Sequence, residues 1–345
     1  MEKGKYGEHR VLQPSNGCLP QAAWKIDNTP EILSNEILID ADILNITSTA
    51  FNALKRRNNG DKERIKAEIL AIVAERGKFQ CPDTGSGGML VGRIEKIGED
   101  LLGKVDLVEG ETIATMVSLT LTPLFLQEIT EIDVDTDQVF VKGKAILFES
   151  GIYAKMSPHL SKALCLAAMD VAGAPGWTAK YVHAGDKVVV IGTGKAGLLC
   201  LHEAKKRAGN TGLVIAIDSS EAQCQLVRDA GVADHVLCMN AQDNLAVMRE
   251  VDRLTNGTLA DFVVNTVNTD STEMSSILSC KDHGKALFFS MSTVFSKVAL
   301  GCEGVGKEMT LLVGTGYTKG HAEIVYQILL ENDVIRSYFE RVYGG

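Results

Sequence analysis

Residues 188–197 read Val-Val-Val-Ile-Gly-Thr-Gly-Lys-Ala-Gly, an apolar run that breaks into Gly192-x-Gly194-x-x-Gly197. A second apolar run, Leu213 to Ile217, ends on Asp218, 21 residues beyond Gly197. Each part has a physical task in holding a dinucleotide. Gly192 permits a tight turn off the strand, Gly194 lets the backbone approach a pyrophosphate, and Gly197 lets helix and strand pack closely. The free N–H groups opening the next helix favour an anion, with Thr193, Lys195 and Ala196 completing the loop. Asp218, followed by Ser219, is placed to accept hydrogen bonds from the adenosine ribose. An ordinary βαβ turn would leave that carboxylate unexplained. The spacing therefore predicts a nicotinamide or flavin nucleotide. A carboxylate at Asp218 repels a 2′-phosphate and Ser219-Ser220 supply no arginine, so NAD is expected over NADP.

The elements around this loop alternate. Strands at 187–191, 213–218, 235–239, 261–267, 285–291 and 309–314 are interleaved with helices at 195–208, from about Ser220, near 241–254, near 271–280 and near 321–331. Ser220 is an expected N-cap with Gln223 as its capping-box partner. Strands alternating with helices mean a doubly wound parallel sheet, an α/β fold of Rossmann type. Ligands collect at the carboxyl ends of such strands, so Asn265-Thr266-Val267 and Ser290-Met291-Ser292 are expected to line the nicotinamide half.

The first half has a different character. Period-two alternation over Ile37–Ile43 and Val139–Leu147 suggests half-buried strands, as do Met89–Ile97 and Lys104–Val108. One amphipathic helix is expected from about Asp61 to Arg76, ended by Gly77. Residues 1 to about 155 thus read as a β-rich domain and 156–333 as the nucleotide domain, connected by a helix at 157–172. The tail, 334–345, is expected to return to the first domain.

Composition narrows the partners. The chain has 345 residues, is 45% hydrophobic and carries a net charge of −9. No Lys/Arg-rich block appears, which argues against nucleic acid or an anionic membrane surface. No run approaches the ~18 apolar residues of a membrane span, and the opening residues carry no secretory signal. Eight scattered cysteines without a Cys-x-x-Cys pair suit a reduced, cytoplasmic protein.

Two carboxylates stand out as candidates for chemistry. Asp83 lies in the glycine-rich loop Cys81-Pro82-Asp83-Thr84-Gly85-Ser86-Gly87-Gly88, where an Asx turn is the alternative explanation. Asp170 lies in Ala-Ala-Met-Asp-Val-Ala-Gly, apolar neighbours among which an unpartnered carboxylate is costly. His202, His235 and His283 read as structural residues and His321 as a capping or interface residue. His9 with Arg10 can reach a substrate carboxylate, although an exposed N-terminal arm explains them equally well.

The chain resembles the medium-chain dehydrogenase/reductase plan. Gly87–Gly98 is similar to its Gly-His-Glu segment, Val182–Lys187 to its lead-in to the first nucleotide strand, and Gly231–Val236 to its Gly-Ala-Asp-His-Val segment. The resemblance implies a GroES-like β-rich first domain. Where zinc-dependent members place a His and a Glu, this chain has Gly88 and Met89, and the nearest match to their ligand Cys is Met169-Asp170. A catalytic zinc needs three protein ligands, so no metal is expected.

A narrower resemblance covers residues 6 to about 323. Tyr6–Val11, Leu19–Asn28, Glu36–Asp40, Cys81–Gly88, Ile191–Cys200 and Gly316–Glu323 resemble the L-erythro-3,5-diaminohexanoate dehydrogenases. This implies NAD-linked oxidative deamination at C3 of a diamino acid in lysine fermentation, giving 5-amino-3-oxohexanoate and ammonium. Such chemistry needs a base for the C3 ammonium and an acid to hold the C5 ammonium. On that resemblance Asp170 is expected as the base, its apolar neighbours raising its pKa, and Asp83, with Thr84 beside it, as the ammonium-binding acid. A zinc-free reductase of carbonyls or enones, and a non-enzymatic NAD(H) sensor, are the alternative readings. An open apolar edge at 309–314 suggests a homodimer.

Overall fold

The computed structural model describes residues 3–14, 17–290, 292–314 and 316–343. The chain forms two compact units, residues 1–158 and 159–345.

The first unit opens with a small antiparallel pair, β1 (Val11–Gln13) and β2 (Lys25–Ile26). Its main body is β3 (Glu36–Ile46), α1 (Ser48–Arg57), α2 (Lys62–Arg76), β4 (Gly88–Ile97), β5 (Thr112–Thr115), β6 (Leu124–Asp133), β7 (Gln138–Phe148) and β8 (Tyr153–Lys155). Six strands pair antiparallel in the order β6-β7-β3-β4-β5-β8. The α2 helix is set by its ends. The Asp61 carboxylate accepts from the Glu63 and Arg64 N–H groups, and Gly77 closes it at φ 71°, which a side chain disfavours. Ile65, Ile69 and Val73 then join Phe51, Leu54, Ile39 and Leu90 in one buried cluster. The strand expected at Lys104–Val108 does not form. Lys104 and Val105 N–H groups both turn back to the Leu101 carbonyl, Gly103 sits at φ 75°, and Leu107 is tucked into the core. The strand lies later, at β5.

The second unit begins with two helices, α3 (Lys162–Met169) and α4 (Gly173–Tyr181), in place of the single helix expected at 157–172. Then follow β9 (Lys187–Ile191), α5 (Lys195–Ala208), β10 (Leu213–Asp218), α6 (Glu221–Ala230), β11 (His235–Cys238), α7 (Asn244–Leu254), β12 (Ala260–Asn265), α8 (Glu273–Ser279), β13 (Cys280–Phe288), α9 (Phe295–Val305), β14 (Thr310–Val313), α10 (His321–Glu331) and α11 (Asp333–Tyr343). The sheet runs β11-β10-β9-β12-β13-β14, every pair parallel. Strand order reverses between β9 and β12, and such a switch point opens a crevice at the carboxyl ends. Val188 to Ile191 and Val214 to Ile217 are fully buried, as strands covered on both faces must be. Ser220 caps α6 through its hydroxyl and the Gln223 N–H. The tail corrects the expectation for it. It forms α11, which packs on α3, α6 and α10 within this second unit, burying Ile335 and Phe339.

Candidate active site

Strand β9 delivers the glycine loop to the crevice, and the three glycines differ in what demands them. A Cβ on Gly197 would lie 1.8 Å from the Gly192 carbonyl oxygen. One on Gly192, itself at φ 86°, would lie 2.8 Å from Val267. Both are therefore glycine because the protein packs against them. Gly194 is exposed, and nothing lies within 4 Å of its Cβ direction. Its lack of a side chain leaves open space beside the helix end. The first bond of the α5 ladder runs from the Leu198 N–H to the Gly194 carbonyl (2.9 Å), so the N–H groups of Lys195, Ala196 and Gly197 precede that ladder. Such an end suits a diphosphate.

Asp218 ends β10 and turns into the loop. Its Oδ2 accepts from the Thr193 backbone N–H (2.7 Å) and hydroxyl (2.9 Å), and its Oδ1 from the Ser220 N–H (2.9 Å). The carboxylate thus fixes the loop while remaining on the wall of a cleft of about 270 Å³. Gly192, Gly194, Asp218, Ser219, Thr266 and Val267 line that cleft, together with Asn240, Gln242, Asn268 and Thr269. The last four were missed from the sequence. They follow the carboxyl ends of β11 and β12, the rule that found Thr266 and Val267. The open helix end, the unfilled space at Gly194 and a carboxylate beside it fit a dinucleotide.

Asn265 departs from expectation. Its amide donates to the Thr272 hydroxyl (3.0 Å) and the Ser276 hydroxyl (2.9 Å), and its carbonyl oxygen accepts from the Val267 N–H (3.1 Å). It is buried and shapes the loop after β12 without lining the cleft. The Ser290 hydroxyl donates to Asn268 (2.8 Å) and accepts from the Ser292 N–H (3.1 Å), which ties the loop after β13 to the one after β12. Met291 lies outside the described residues.

The carboxylates expected to do chemistry lie in different units. Asp170 caps the C-terminal end of α3, and its side chain does not share the burial of Ala168 and Met169. It is 37% exposed and paired with the Lys195 ammonium at 2.5 Å. The ring of Tyr343, from α11, lies 5.0 Å from the same ammonium. Burial pushes the Tyr343 phenol up, so it stays neutral. The apolar, unpartnered setting that suggested a base at Asp170 is not the one found. Asp83, in the first unit, is 46% exposed and faces Arg57 at 3.4 Å. Its carboxylate turns to that side chain and does not close an Asx turn. Thr84 joins a hydroxyl cluster through Ser86 (2.7 Å), which in turn meets Thr47 (3.0 Å).

Two other expectations change. Arg10 is spent inside the first unit: Nε and Nη2 donate to the two oxygens of buried Glu36 at 2.7 Å each, and Nη1 and Nη2 to the carbonyls of Thr29 and Glu31. His9 Nε2 meets the same carboxylate at 2.8 Å. Neither residue is available to a substrate. A Cβ at Gly88 would lie 2.1 Å from the Asn45 carbonyl oxygen, so no metal-ligating side chain fits there. Among the described residues, no three His, Cys, Asp or Glu side chains converge as a metal's ligands.

Residues 9–157 match the model of the L-erythro-3,5-diaminohexanoate dehydrogenase N-terminal domain, and residues 196–301 match that of the zinc-binding dehydrogenases. The chain is 52% identical to the L-erythro-3,5-diaminohexanoate dehydrogenase of Acetoanaerobium sticklandii, over 99% of this chain and 100% of that one. It is 49% identical to the enzyme of the same name from Fusobacterium nucleatum, over 99% and 100%. Solved structures share the fold at low identity. A mycobacterial quinone oxidoreductase superposes with a TM-score of 0.54 at 17% identity, covering 93% of this chain and 92% of its own. An alcohol dehydrogenase from Thermotoga maritima gives 0.53 at 16%, covering 89% and 85%. With half its residues shared along nearly the whole length, the chain belongs to the L-erythro-3,5-diaminohexanoate dehydrogenase family, on a medium-chain dehydrogenase/reductase fold.

Proposed function

We propose that this protein oxidatively deaminates L-erythro-3,5-diaminohexanoate at C3 with NAD, giving 5-amino-3-oxohexanoate and ammonium within lysine degradation. The observation that carries the cofactor half is Asp218 on the wall of the cleft beside the open Gly194. The substrate half rests on the kinship with enzymes of that name. When bound, the nicotinamide takes the two electrons and the hydrogen lost from C3. One water replaces the amine nitrogen at that carbon, so one ammonium leaves for each cofactor reduced.

The chain's own residues supply recognition. Asp218 accepts from the adenosine ribose and repels a 2′-phosphate, which favours NAD. Asp83, half exposed, holds an ammonium group of the substrate, with Thr84 offering a hydroxyl beside it. The Asp170–Lys195 pair closes Asp170 to the substrate's ammonium unless Lys195 is displaced, so we assign Asp170 to the cofactor end of the site. The proposed chemistry needs no metal, and at Gly88, where zinc-dependent members place a ligand, a Cβ would lie 2.1 Å from the Asn45 carbonyl oxygen. The free cysteines suit a reducing cytoplasm, and the open β14 edge suits a homodimer.

Absorbance at 340 nm with NAD and a substrate panel tests this reading. Turnover of the 3,5-diamino acid, with none of enals or quinones, is expected. Turnover of the enals or quinones alone would overturn it.

A further inference from the structure

Lys195 is the one cation of the glycine loop, and as the first residue of α5 it stands at the helix end that favours anions. Its ammonium is engaged from two other elements. Asp170, at the end of α3, places Oδ2 at 2.5 Å, and Tyr343, in the last turn of α11, places its ring at 5.0 Å. Neither partner of the ion pair is fully buried: Lys195 is 21% exposed and Asp170 37%. Pairs in contact with water are weak and can open.

We propose that Asp170 withholds Lys195 from the diphosphate of the bound dinucleotide, and so lowers the affinity of this site for nucleoside diphosphates. The inference rests on the dinucleotide reading above. A diphosphate brings negative charge to the end of α5. There it meets an ammonium already neutralised by a carboxylate, and the carboxylate itself repels it. Attraction from the helix end remains, but the charge of Lys195 is largely cancelled. An enzyme that must release its reduced cofactor in every cycle gains turnover from such moderation, because product release often limits the rate.

The test is direct binding to the intact protein, without diamino acid. NADH fluorescence gives one affinity, and calorimetry gives those of ADP-ribose and adenosine. Asp170→Asn should bind NADH and ADP-ribose on the order of fivefold tighter, with a steeper loss on adding salt. Lys195→Met should bind both more weakly. Adenosine, which lacks phosphate, should bind all variants alike. The double variant should gain less over Lys195→Met than Asp170→Asn gains over wild type, because without the ammonium only the carboxylate's direct repulsion of the phosphates is relieved. Thermal melts of the free variants establish that each is folded. Unchanged or weaker NADH binding by Asp170→Asn overturns the inference, as does an equal effect on adenosine. A carboxylate acting on the substrate alone would leave cofactor affinity unmoved. If wild-type protein failed to bind NADH, the dinucleotide reading itself would fall, a result distinct from the failure of Asp170→Asn to tighten.

Discussion

Gly194→Ala should separate binding from stability. Nothing lies within 4 Å of the Cβ direction, and φ −64° with ψ −164° is open to alanine. Two small terms act on the free protein. Replacing glycine restricts the unfolded chain and stabilises by about 0.4–1 kcal/mol. Losing glycine at an N-cap costs a similar amount, roughly 0.5–1 kcal/mol. They offset, and at about 2–4 °C per kcal/mol for a unit of this size the melting temperature should move by no more than a few degrees. Binding should respond differently, because the methyl group occupies the space left beside the helix end. Loss of even one charge-assisted bond to a phosphate, about 1.5–3 kcal/mol, weakens the dinucleotide tenfold or more. Gly197→Ala is the contrast. Its Cβ would lie 1.8 Å from the Gly192 carbonyl, so the packing itself must shift, at about 1–3 kcal/mol or more. Differential scanning calorimetry and NADH titration on both variants decide the matter. Wild-type NADH affinity in Gly194→Ala, or a stability loss equal to that of Gly197→Ala, would refute the assignment of Gly194 to the ligand.

Asp218→Ser should raise kcat/KM with NADP relative to NAD at least tenfold, measured with the diamino acid; an unchanged ratio would remove Asp218 from cofactor choice. Burial raises the Glu36 carboxyl, but hydrogen bonds from Arg10, Leu33 and His9 outweigh it and hold the group below its ordinary 4.5. Its contribution is then present above pH 4.5 and lost as pH falls through the lower folded value. Glu36→Ala leaves Arg10 buried without its partner and should cost about 3–5 kcal/mol of the first unit's stability, read by denaturant titration at pH 7. Edge strand β14 exposes Val313 at 58% and Leu311 at 37%, and neighbouring α9 exposes Leu300 at 66% and Phe295 at 49%. Light scattering should show a dimer that Val313→Lys converts to monomer, and a wild-type protein of ~37 kDa at micromolar concentration would contradict it.

Much of the second unit was legible because parallel strands buried on both faces read as unbroken apolar runs. Val188–Ile191 and Val214–Ile217 could hardly be read otherwise, and the glycine turn between them fixed the register of the loop. The first unit was harder. Strand β6 was missed because bulges at Leu126/Glu128 and Ile129/Glu131 break its alternation, whereas Lys104–Val108 alternates and yet forms turns. Helix α9 was missed because Gly301 and Gly304 interrupt it and Phe295, Leu300 and Val305 face outward, leaving only Val298 and Cys302 as its buried apolar face. Asp170 shows where sequence neighbours mislead. Adjacent residues on a helix do not share a face, so the apolar Ala168 and Met169 say nothing about the carboxylate next to them. Asn265 teaches the same about strand ends, where the residue facing α8 and the one facing the cleft are consecutive.

The reaction is defined by which nitrogen leaves and what it leaves with. Substrate labelled with nitrogen-15 at C3 only, incubated with the protein and NAD, allows labelled ammonium and NADH to be followed together. Labelled ammonium and NADH should appear one to one, and the nitrogen at C5 should stay in the product. NADH without labelled ammonium, or no NADH at all with this substrate, would contradict the assignment.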